Sequence, residues 1–154
     1  MKKTLLLFAI GTVVGWGQIT YTVSKTTVLS GSAEVITVQQ PATGAKIVGF
    51  VGVYIDSTAT CAITIERNGT AATSTTLIPA KVNPDQTAPV ATGWSASNVG
   101  TGTVITVATV NGFFYQDLSK VYLYGNGTSK NLTVRTGSCS ATVDIVITFT
   151  EVGN

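Results

Sequence analysis

Residues 45–67 read AKIVGFVGVYIDSTATCAITIER, two runs rich in β-branched and aromatic side chains on either side of Asp56-Ser57-Thr58. The runs have the strand composition and the centre has the turn composition, so the pattern predicts a strand, a tight connection and a second strand. In the first run Ile47, Gly49, Val51, Val53 and Ile55 take one face, and Lys46, Val48, Phe50, Gly52 and Tyr54 take the other. Both faces are largely apolar, which requires cover on both. The second run alternates cleanly, with Cys61, Ile63 and Ile65 opposite Ala62, Thr64 and Glu66.

The same two-residue period recurs along the chain. Ile19, Tyr21 and Val23 alternate with hydroxyl residues, Ser30-Gly31-Ser32 marks a turn, and residues 34–39 form a short strand ended by Pro41. Asn68-Gly69 is a tight-turn signal after the central pair. Pro79, Pro84 and Pro89 then fall within a stretch that cannot donate regularly to a ladder, which predicts a long surface connection running on through Trp94. Strands resume at residues 103–110, with a turn at Asn111-Gly112 before Phe113-Phe114-Tyr115. Asp117-Leu118-Ser119 and Gly125-Asn126-Gly127 bracket residues 120–124, and residues 131–136 form another strand. In the last, Val143, Ile145, Ile147 and Phe149 alternate with Thr142, Asp144, Val146 and Thr148.

About ten short strands at this spacing, with no helical period after Gly17, predict an all-β fold: a single antiparallel β-sandwich, jelly-roll-like, over residues 18–154. Its expected core is Ile47, Val51, Val53, Cys61, Ile63, Ile65, Val143, Ile145, Ile147 and Phe149.

Residues 1–17 do not belong to that pattern. Lys2 and Lys3 precede an apolar run at residues 5–14, and Gly15-Trp16-Gly17 offers small residues at a cleavage site before Gln18. This is a signal-type segment, with a retained hydrophobic helix as the alternative, and the run is short for a bilayer span. Cleavage would change the charge. It removes two of the nine Lys and Arg, leaving seven against seven Asp and Glu. A neutral chain has no counterions to release from a phosphate backbone, so nucleic acid is not an expected partner.

Secretion, of a bacterial type to judge from the Lys-Lys start, also frames the cysteines. Cys61 and Cys139 are the only pair, and an oxidising compartment favours a bridge over two separate thiols. Their spacing matches no zinc or redox motif, and no calcium-loop run is present, so neither a metal nor a cofactor is expected.

The chain has no histidine, which excludes Ser-His-Asp and Cys-His nucleophiles. Of the seven carboxylates, Asp56, Asp85 and Asp117 stand at turn signals, where Asp bonds its own backbone. Glu34, Glu66, Asp144 and Glu151 lie on strand faces or ends. Nothing places a base beside a nucleophile, and the expectation is a protein that is not an enzyme. Asn68, Asn126 and Asn131 each open an Asn-x-Ser/Thr sequence, read here as turn asparagines.

Two readings of function remain. In the first, the low charge and the strand-like mature N-terminus point to a structural protein on the cell surface or outside the cell. It would assemble with copies of itself into a filament, a pilus-like fibre or a particle. Ile19, Tyr21 and Val23 would then be an assembly strand, pairing with a neighbour's sheet edge or, equally, with its own. In the second, Trp94, Tyr122 and Tyr124 form an aromatic platform for polysaccharide, against the plainer role of packing residues.

Overall fold

The stretch expected to be a hairpin is a single strand. The structure, a computed structural model, describes residues 18–41, 47–69, 74–84, 87–96, 101–125, 127 and 129–152, and the signal-type segment lies outside them. Its strands are β1 (Gln18–Ser32), β2 (Val35–Gln39), β3 (Ile47–Arg67), β4 (Thr75–Leu77), β5 (Ala80–Lys81), β6 (Thr92–Ala96), β7 (Thr103–Asp117), β8 (Tyr122–Leu123), β9 (Asn131–Thr136) and β10 (Cys139–Val152). All ten join one antiparallel sheet that curls on itself.

β3 is the axis of the curl. Its first half pairs with β10, from Ile47 opposite Val152 to Ser57 opposite Val143. Its second half pairs with β9, from Ile63 opposite Thr136 to Arg67 opposite Leu132. β7 follows the other side of β3 through both halves, and β8 continues that line opposite Val48 and Gly49. Beyond β10 lie β1 and then β5; beyond β9 lie β2, β6 and β4. The sheet thus has two lobes, hinged on β3 and β7.

The hinge is a crease across the sheet. Ser32 pairs with Cys139, Cys139 is bonded to Cys61, and Cys61 pairs with Val110. Gly31 and Gly112 flank this row with φ of 71° and 85°, values that a residue with a Cβ seldom adopts. The ladder between β3 and its neighbour lapses there, and side chains replace it. Thr142 N–H donates to Thr58 Oγ1 at 2.9 Å, and Ser57 Oγ donates to Ala59 O at 2.6 Å.

Three turn signals therefore proved to be bends. Ser30-Gly31-Ser32, Asp56-Ser57-Thr58 and Asn111-Gly112 change the strands' direction without reversing them, and strands that were expected to be short run to 15 and 21 residues. The same bends let the described strands join in one curled antiparallel sheet.

The two lobes face each other and share a core. Tyr21, Val23, Phe149 and Ile147 from the first meet Ile36, Val38, Leu132 and Val134 from the second in one buried cluster. β6 closes against β1 so tightly that a Cβ on Gly93 would come within 2.9 Å of Val23 Cγ2. Lys25, on the core side of β1, bridges the gap: its Nζ donates to Glu34 Oε1 at 2.8 Å and to Ser95 Oγ at 3.1 Å.

Eight of the expected core residues are buried, but Ile47 and Val51 are only half-buried. A bulge leaves Val51 unmatched between Phe50, opposite Phe149, and Gly52, opposite Thr148. One extra residue flips the alternation, so Val48 and Phe50 point to the core in their place. Trp94, expected in a loop, lies in β6, because pairing with both β2 and β4 outweighs the weak strand propensity of Thr-Gly-Trp-Ser-Ala.

Candidate functional site

The carboxylates come first, because their partners limit what chemistry they offer. Glu151 is buried at the end of β10, and its Oε1 accepts from the N–H groups of Val90 and Ala91 at 2.7 and 2.6 Å. Glu66 accepts from Gly102 N–H at 2.7 Å and from Arg135 Nε at 3.4 Å. Glu34 holds Lys25. Asp117 accepts from Ser119 N–H at 2.8 Å, and this bond, first among its influences, holds its carboxyl below the usual range. The three glutamates tie separate segments of chain together, and Asp117 closes a local turn. Asp85 lies outside the described residues.

Asp56 and Asp144 differ. They sit directly opposite one another on β3 and β10, facing outward, and Asp144 Oδ1 is enclosed without a hydrogen-bond partner among the described residues. Two carboxylates in such positions repel, an arrangement a strand pair does not choose for its own stability. Among the described residues no group of three or more acidic, cysteine or histidine side chains is placed to hold a metal.

Beside this pair runs a strip of rings. Phe113 and Tyr115 of β7, with Tyr122 and Tyr124 around β8, are each at least 40% exposed. The Phe113 ring lies 4.7 Å from that of half-buried Tyr54, centroid to centroid, and Tyr122 lies 6.1 Å from Tyr124. Two glycines of β3 make room. A Cβ on Gly52 would come within 2.6 Å of the Tyr115 ring, and one on Gly49 would reach 3.0 Å from that of Tyr122. These rings are the cover that the second apolar face of β3 requires.

Carboxylates punctuate the strip. Burial first, then the nearby charges of Asp56 and Asp144, push the Tyr54 hydroxyl above its ordinary pKa; burial and Asp117 do the same for Tyr115. Both phenols therefore stay protonated at neutral pH.

The residues expected to form a platform do not stand together. Tyr122 and Tyr124 are in the strip, whereas Trp94 lies in the second lobe, packed with Val35 and Ala96, its Nε1 donating to Thr92 Oγ1 at 3.0 Å. Phe113, Tyr115, Tyr54 and the two aspartates were missed, since only the bend at the crease brings β7 alongside the first half of β3. Of the expected assembly strand, Tyr21 and Val23 are in the chain's own core and Ile19 packs against it. β1 is paired with β10 along its whole length, and the Tyr21 hydroxyl donates to Thr87 O at 2.9 Å.

The other notable surface is an edge. Among the described residues β7 pairs with β3 on one side only; it runs for 15 residues and carries a single charge, Asp117, at its end. Val104 and Val107 are more than half exposed along it. Cys61 and Cys139 form the disulfide, their Cα atoms 5.5 Å apart, which accords with folding in an oxidising compartment.

No family model matches this chain, and neither does any curated protein or any solved structure. What the fold itself defines is an all-β, disulfide-bonded, curled antiparallel sheet.

Proposed function

We propose that this chain is a secreted, non-catalytic structural subunit that associates with copies of itself through an open sheet edge. The assembly lies on the cell surface or outside the cell, and the signal-type residues 1–17 direct export. In this reading the curled sheet serves as a jelly-roll-like sandwich block. One observation carries the proposal: β7 offers a 15-residue edge, unpaired among the described residues, whose interior holds no charge. Monomeric proteins protect such edges with lysine, proline, bulges or very short strands; β7 carries no lysine or proline, and its bulge at Ile105 lies near its start. A mature chain of zero net charge adds no long-range repulsion between copies.

The assembly edge is placed on β7 and not on residues 18–25, because Tyr21 and Val23 are already spent in the core of their own subunit. Size-exclusion chromatography and electron microscopy of the purified protein test this. Oligomers or filaments are expected, and Val107→Lys with Thr109→Lys should return them to monomers without loss of the fold. Deleting residues 18–25 should unfold the domain. Persistent oligomers in the lysine variant, or a folded monomer after the deletion, would overturn β7 as the edge.

A further inference from the structure

The proposed self-association uses the edge of β7, leaving its outward face unoccupied. We propose that the strip on this face, formed by Phe113, Tyr115, Tyr122 and Tyr124 with Asp56 and Asp144 beside it, binds an uncharged polysaccharide.

The strip follows β3 from Asp56, opposite Phe113, to Gly49, opposite Tyr122. Seven steps of about 3.3 Å give a length of about 23 Å, enough for an oligosaccharide of several rings. Four aromatic side chains between 40% and 66% exposed are a large aromatic outlay on one face of a chain that is only 8% aromatic. Glycine at positions 49 and 52 lets the Tyr122 and Tyr115 rings settle onto the sheet, where side chains would lift them away. Seated rings of this kind offer apolar surface at a small cost in side-chain freedom.

The polar groups select the occupant. Asp56 and Asp144 accept hydrogen bonds and donate none, and Asp56 is exposed, opposite Phe113. An exposed carboxylate beside aromatic rings accepts hydroxyl or amide hydrogens next to apolar surface, and the site asks for a ligand that offers both. A sugar ring has both, with C–H groups on its face and O–H groups at its rim. A second copy of the same strip would not serve, because it would set carboxylates against carboxylates. An acidic polysaccharide is excluded by Asp56 and Asp144 together with Asp117, which pairs with Gly52 along the strip.

Affinity chromatography of the full protein on cellulose, chitin and the polyanion alginate tests the proposal. The expected result is retention on cellulose or chitin, little changed by salt, and none on alginate. Tyr115→Ala with Tyr122→Ala should weaken retention about tenfold, from two lost stacking contacts. Tyr124→Ala, which removes the 60% exposed ring, should weaken it several-fold with an unchanged melting temperature, and Asp144→Asn should weaken it while raising the melting temperature by relieving the repulsion with Asp56. Val28→Ala, at a site 78% exposed on β1, should leave it intact. Failure to bind either neutral polymer, preference for alginate, or strip variants that alter oligomer size while binding as before would each overturn the proposal.

Discussion

Cys61 and Cys139 face one another where the ladder beside β3 has lapsed. On one side the last pair is Ile63 with Thr136, on the other it is Ser57 with Val143, and the disulfide bridges the interval. The bond fastens the crease at the point where main-chain bonding is thinnest.

Opening that bond should therefore be costly. It closes a loop of 78 residues, which the chain-entropy relation values at about 4–5 kcal/mol. Urea unfolding of oxidised protein, compared with reduced protein and with a Cys61→Ala, Cys139→Ala variant, should show a loss of that size. Native protein should present no titratable thiol.

The shared core predicts that the two lobes melt together. Ile63 in the second half of β3 and Ile145 in β10 are 1% and 2% exposed, in the same cluster. Truncating either to Ala should cost about 2–5 kcal/mol and lower one common transition. Two separate transitions on calorimetry would mean that the lobes fold independently.

The tyrosines of the strip make a prediction about pH. The Tyr54 hydroxyl is raised by burial, then by Asp56, then by Asp144, so the fold favours its neutral form. The resulting stability is fully present below the unfolded value near 10, and it is lost as pH rises through the higher folded value. Near-ultraviolet absorbance should show late-titrating phenols, and Asp56→Asn should bring one of them earlier. An unchanged titration curve would place Asp56 away from Tyr54.

Much of the fold was legible because burial writes a two-residue period into a strand. The alternations at residues 61–65 and 143–149 gave the inward faces correctly, and Cys61 and Cys139 are the bonded pair. The ring strip was not legible. Phe113 and Tyr115 are separated from Gly52 and Tyr54 by some sixty residues, and a turn at Asn111-Gly112 would have sent them elsewhere.

Sequence alone determined the all-β class, the inward faces of the regular strands, and the scarcity of charge that leaves β7 unguarded. These depend on each residue's own polarity and on its immediate neighbours. Tertiary structure decided whether turn-prone residues reverse a strand or merely bend it, which face Val51 takes, and where Trp94 and Tyr122 end up. A cluster such as Asp56-Ser57-Thr58 lowers the local cost of changing direction, but the angle is set by the ladders on either side. At the crease β10 holds β3 before the bend and β9 holds it after, so the chain turns a corner and continues.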